Sequence, residues 1–139
     1  MTRFVIDPPT LVQLAQDDRR IGAAHQLVAP NSIRSQALDL LLQRVRDGEL
    51  TEKAALDLHE RITEMKIRVL GDRVSRRVAW RIAREHNWPT IRDAEYLAIA
   101  ELQADALIAG DPGLAAKASG LVPLAPVSGR SCAGQPGPT

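Results

Sequence analysis

The sequence predicts an α/β domain of three layers, a central parallel sheet with helices on both faces. Three observations predict it. Short apolar runs recur at residues 4–6, 27–29, 67–70 and 106–109. They are too short for helices and read as strands buried on both faces. The longer stretches between them carry apolar residues at the helical period of about 3.6. Strands that alternate with helices imply parallel pairing through right-handed crossovers.

The first run, Phe4, Val5 and Ile6, is closed by Asp7, Pro8 and Pro9. A short helix is expected over residues 10–16, capped by Thr10, with Leu11, Leu14 and Ala15 on one face. A second helical piece is expected over 17–26. Leu27, Val28 and Ala29 form a brief strand ended by Pro30. Asn31 or Ser32 caps the next helix, in which Ile33, Ala37, Leu38, Leu41, Leu42 and Val45 keep the period until Gly48. Thr51 caps its successor, with Ala55, Leu56, His59 and Ile62 on one stripe. A short turn joins the two, so they form an antiparallel hairpin. Leu40 and Leu58 lie off these stripes, which predicts an apolar groove on the hairpin for a partner helix or peptide.

Residues 67–70 are the third strand, closed by Gly71. A helix is expected over 72–86, with Val74, Val78, Ile82 and His86 on one side, and another over 93–102, with Tyr96, Leu97 and Ala100 inward. The strand at 106–109 ends at Gly110, and a short Ala-rich helix runs to Ser119. Residues 121–124 are a last strand, which Pro123 places at the sheet edge. The domain spans residues 1–125. Residues 126–139, rich in Pro, Gly and Ser, are expected to be disordered.

Composition narrows the function classes. Net charge is only +1, so any attraction to nucleic acid must be local. The single cysteine, Cys132, has no partner for a disulfide or a zinc site. No run approaches the roughly 18 apolar residues of a membrane span, and the apolar start is too short for a signal peptide. A cytoplasmic protein is expected. His25, His59 and His86 show no metal-ligand spacing. Gly-rich phosphate loops and Ser or Cys nucleophile motifs are absent.

Three acids stand out by position. Asp7 follows the first strand, Asp111 follows the strand at 106–109, and Asp93 opens a helix. Ligands of open α/β sheets bind outside the carboxyl ends of the strands. Carboxylates gathered there repel unless a cation neutralises them. Hard oxygen donors suit Mg²⁺ or Mn²⁺, which can activate water against a phosphodiester. The plainer alternative is that Asp93 caps its helix and that Asp7 and Asp111 start turns before prolines.

A family resemblance bears on this choice. Phe4-Val5-Ile6-Asp7 resembles the opening strand of PIN domains. Asp93-Ala94-Glu95-Tyr96-Leu97-Ala98 resembles a helix of their VapC-type toxins. Ala106-Leu107-Ile108-Ala109-Gly110-Asp111 resembles their late strand ending in an acid. The likeness runs from about Arg3 to Pro126. It implies a three-layer PIN-like fold and a Mg²⁺- or Mn²⁺-dependent endoribonuclease, with Asp7, Asp93 and Asp111 on the metal. It also implies a small antitoxin partner, an RNA substrate and a homodimer.

The chain departs from that pattern at three places. Gln36 stands where the family carries a Glu, with Asp39 one turn on. Pro9 stands where a small hydroxyl residue is usual, and Ala109 where a Thr is common. Gln36 thus joins the catalytic set as a neutral ligand, which implies attenuated activity. The alternative is a degenerate domain that binds RNA or a protein without cutting. A phospho-signalling receiver is the third reading. It wants an acidic pair at the first strand and a Lys after the last, and the chain has neither. Finally, Arg73, Arg76, Arg77, Arg81 and Arg84 surround Trp80 on one helix. Such a face either tracks a nucleic-acid backbone or is simply solvated.

Overall fold

Four parallel strands form the sheet in the order β3-β2-β1-β4 in the computed structural model, which describes residues 2–18 and 24–126. The strands are β1 (Thr2–Ile6), β2 (His25–Pro30), β3 (Arg68–Leu70) and β4 (Ala106–Ile108). The register sets Val5 beside Val28 on one side and Leu107 on the other. Val5, Ile6, Leu107 and Ile108 are all fully buried. Successive strand residues point to opposite faces, so both faces are covered, as the apolar runs required. Burying each such side chain contributes about 1.5–3 kcal/mol relative to exposure.

Six helices supply the cover: α1 (Pro8–Gln16), α2 (Ile33–Arg46), α3 (Glu52–Glu64), α4 (Arg73–Glu85), α5 (Arg92–Gln103) and α6 (Pro112–Ala118). The first three pack on one another. α5 lies against β1, β2 and β4, and α4 packs along α5. Two arginines tie the first group by closing helix ends. Arg34 donates to the Ile62 and Met65 carbonyls, and Arg61 to the Ala15 carbonyl. Both satisfy C-terminal carbonyls that a helix leaves unpaired.

The predicted elements are present, with several corrections. α1 starts at Pro8, and its cap is Asp7 rather than Thr10. Proline at the first helical position has its φ preset and lacks only an N–H that would be unpaired anyway. In the segment 17–26, Asp17 and Asp18 form a turn while His25 and Gln26 belong to β2; residues 19–23 lie outside the described residues. The last strand shrinks to a single bridge between Leu107 and Leu124, because Pro123 has no N–H for a ladder. The tail expected to be disordered lies outside the described residues from 127 on, and Cys132 with it.

The buried stripes are narrower than predicted. Ile33, Ala37 and Leu41 face the core, while Leu38 and Leu42 are exposed. On α3 Leu58 joins Ala55 and Ile62 inside, and Leu56 is exposed. Leu40 is half-buried against the core. Leu58 therefore cannot line an outer groove and Leu40 only in part, and the exposed apolar surface of the hairpin belongs to Leu38, Leu42 and Leu56. On α4 the core side is Ser75, Ala79, Ile82 and Ala83, not Val74 and His86. Small residues there let α4 approach α5 closely, a preference that hydropathy alone does not reveal. No helix among the described residues is long and apolar enough to cross a membrane.

Candidate functional site

Asp7 is the pivot of the carboxyl edge. It leaves β1 and caps α1, and it is fully buried. Its Oδ1 accepts from the Thr10 backbone N–H at 3.1 Å, the Thr10 hydroxyl at 2.6 Å and the Gly110 N–H at 2.9 Å. Its Oδ2 accepts from the Asp111 N–H at 2.9 Å. One carboxylate thus joins the end of β1, the start of α1 and the loop after β4. Thr10 supplies the hydroxyl that Pro9 cannot. The loop must come close, and Gly110 allows it: a Cβ there would lie 3.1 Å from Pro9 and from Thr10.

Asp111 repeats the device one connection later. It caps α6, accepting from the Leu114 N–H at 3.0 Å, and Pro112 follows as Pro8 follows Asp7. The turns expected at these two acids before prolines are thus helix caps, whereas Asp93, the acid expected to cap, lies inside the first turn of α5 behind Ile91. A carboxylate oxygen can accept more than one hydrogen bond, so capping does not exclude a further ligand.

The five polar residues that the sequence nominated lie in one place. A cleft of about 470 Å³ is lined by Asp7, Gln36, Asp39, Asp93 and Asp111, with Tyr96 and Arg92 among the other walls. Four separate elements deliver them: the β1–α1 junction, α2, α5 and the β4–α6 junction. Asp7 borders this cleft although none of its surface is solvent-accessible, so it lies beneath the floor rather than on it.

Four of these five side chains, all but Asp39, already have a partner within the protein. Asp93 Oδ2 is 2.8 Å from the Lys117 ammonium. That ammonium also sits 5.3 Å from the centroid of the Trp88 ring, which in turn stacks on His86 at 5.2 Å. Gln36 Oε1 accepts the Tyr96 hydroxyl proton at 2.6 Å, and its amide nitrogen donates to the Ser32 hydroxyl at 3.2 Å. Burial, and after it the Asp7 charge, push the Tyr96 phenol well above its ordinary value near 10. Tyr96 is therefore a permanent donor at neutral pH, and it orients the Gln36 amide.

A hard divalent cation is tested by this arrangement in two ways. The donor chemistry fits: carboxylate and amide oxygens, with no soft ligand among them. The convergence is incomplete. Among the described residues no three His, Cys, Asp or Glu side chains cluster closely enough to hold a metal as they stand. A cation bound through Asp93 Oδ2 would share or compete for it with Lys117.

Sequence reading missed Lys117 and the polar role of Tyr96. Tyr96 was placed inward as an apolar residue, although a buried phenol usually needs a partner. The lysine offered no signal, since its pairing with Asp93 spans 24 residues and depends on how α6 lies against α5.

No family model matches the chain, and no curated protein does. Among solved structures the chain is similar to the crystal structure of PAE2754 from Pyrobaculum aerophilum. The two share 26% sequence identity at a TM-score of 0.66, over 84% of each chain. That likeness supports the α/β architecture just described.

Proposed function

We propose that the cleft at the carboxyl edge is a Mg²⁺- or Mn²⁺-dependent endoribonuclease centre of the VapC type, working slowly, in a cytoplasmic protein. The observation that carries the reading is the meeting of Asp7, Gln36, Asp39, Asp93 and Asp111 at one cleft from four distant parts of the chain. A bound cation would neutralise the phosphodiester and lower the pKa of water. Asp93 and Asp111, the more accessible acids, would hold it from the walls, with Asp7 below. Gln36 contributes an oxygen without charge, turned by Tyr96. Asp39 adds negative charge at the rim. The partners that go with this reading are an RNA substrate, a small antitoxin and a second copy of the chain. Leu38, Leu42 and Leu56 are the exposed apolar residues to which an antitoxin helix would be fitted.

The second reading is a module that binds RNA or protein without cutting. Two contacts favour it: the four hydrogen bonds that saturate Asp7, and the Lys117 ammonium on Asp93. Calorimetric titration with Mn²⁺, paired with a single-turnover RNA assay, separates the two. Under the first reading the natural protein binds Mn²⁺ and cuts RNA, and Asp93→Asn abolishes both. Cleavage undiminished in Asp93→Asn would end it, and RNA binding with no metal uptake would leave the second.

A further inference from the structure

We infer that the outer face of α4 is a second, separate binding surface, for single-stranded RNA. Arg73, Arg77, Trp80 and Arg84 follow the spacing i, i+4, i+7, i+11, which puts them on one stripe. The buried residues of α4, Ser75, Ala79, Ile82 and Ala83, occupy the opposite side. The stripe therefore points straight away from the core. At the helical rise it is about 16 Å long.

The three arginines make no ion pair or side-chain hydrogen bond among the described residues. Their neighbours do: Arg81 pairs with Glu85 and Glu101, and Arg76 donates to the Gly71 carbonyl at 2.6 Å. The stripe is thus a row of uncompensated guanidinium groups. The helix carries five arginines against one glutamate, while the whole chain nets only +1. Positive charge is concentrated here, and the rest of the chain is net negative.

Trp80 decides between a solvated face and a site. It is 63% exposed, the most exposed large apolar side chain among the described residues. Solvation explains surface arginines but not an indole held out among them. A polyanion with flat apolar faces satisfies both features. Phosphates meet the guanidinium groups, and a base stacks on the indole. An acidic protein segment would use the charges but not the ring. A second copy meeting this face about a two-fold axis would bring arginine against arginine. The loop after α4 leads directly to the cleft: Trp88 carries the Lys117 ammonium that pairs with Asp93, and Thr90 lines the wall. The choice of RNA over DNA rests on the reading of the cleft; the stacking and charge arguments do not.

The test is binding of a fluorescent oligouridylate of about twelve nucleotides, within the usual range of single-strand sites. A chelator is present throughout, so failure of the cleavage reading cannot mimic failure here. In the natural protein affinity falls steeply with salt. Replacing Arg73, Arg77 and Arg84 by Gln lowers the slope of log K against log salt by about 2, at roughly 0.7 per phosphate contact. Trp80→Ala weakens binding roughly tenfold. Thermal melts followed by circular dichroism check that both variants fold, as expected for exposed positions. Unchanged affinity and slope in the folded arginine variant would overturn the proposal. So would displacement of the RNA by an oligoglutamate of equal charge as effectively as by unlabelled oligouridylate.

Discussion

The Lys117 ammonium lies 2.8 Å from Asp93 Oδ2, at the place where a divalent cation would need that carboxylate. Under the proposed cation reading the lysine would be a tethered monovalent stand-in, and it gains from the Trp88 face at 5.3 Å. About a third of each partner's side chain is exposed, which limits the pair to at most about 1 kcal/mol. Lys117→Met removes the competitor. Mn²⁺ affinity measured by calorimetry is expected to rise up to about fivefold, while the urea midpoint falls only slightly. A fall in Mn²⁺ affinity would show that no cation competes for Asp93.

Under the proposed cation reading, the charge at position 36 would set the strength of the same site. Gln36→Glu adds a carboxylate while keeping an oxygen for the Tyr96 hydroxyl. Placing one more negative charge beside a divalent ion is worth roughly several kcal/mol at an effective interior dielectric, before compensation by water or Asp39. Mn²⁺ binding and RNA cleavage are both expected to rise tenfold or more. Unchanged metal affinity in this variant would mean that position 36 does not serve a cation.

Asp7 and Asp93 should separate on stability. Asp7→Asn turns one of two acceptor oxygens into an N–H₂ that faces at least one of the four donors. At least one buried donor is left unmatched, at about 1–3 kcal/mol each. Asp93→Asn touches only an ion pair about a third exposed and should stay within about 1 kcal/mol of the natural protein. Urea denaturation of the two variants checks this. The consequence for enzymology is that loss of activity in Asp7→Asn is not by itself a sign of catalysis.

Tyr96 gives an alkaline signature that can be read without any ligand, because it is the chain's only tyrosine. Its folded pKa is raised above the ordinary value near 10. The folded state therefore keeps a proton that the unfolded state releases, so its contribution is complete below about pH 10. Stability then declines as pH climbs from there toward the folded value. Tyrosinate absorbance in the near ultraviolet should stay absent from the folded protein above pH 10 and appear together with unfolding. Tyr96→Phe should flatten the fall of Tm in that range. It should also cost about 0.5–1.5 kcal/mol at neutral pH for the lost Gln36 hydrogen bond. Ordinary titration of the phenol near pH 10 in the folded state would contradict its burial against Gln36.

The sequence by itself determined most of the element order, the parallel α/β class and the three acids that would reach the carboxyl edge. Those features depend on local pattern: short apolar runs for strands, periodic stripes for helices, and prolines and glycines at their ends. Asp7, Asp93 and Asp111 could be nominated because each stands at or near the end of an element, and strand direction fixes where ends go, whereas Gln36 and mid-helix Asp39 were nominated by the family resemblance. Two Asp-Pro pairs, at Asp7 and Asp111, also announced helix caps, a signal that a reading of proline only as a strand breaker passes over. Tertiary structure alone decided the rest. Which way α2, α3 and α4 turn was ambiguous, because their leucines and valines outnumber the positions that one neighbour can cover. Small residues such as Ala79 and Ala83 won the core side by permitting close approach of α5. The partners of the nominated side chains were equally beyond local pattern. Lys117 on Asp93, Tyr96 on Gln36 and the Gly110 loop on Asp7 join residues 24, 60 and 103 positions apart. Such contacts are set by the packing of whole elements, and no spacing in the chain encodes them.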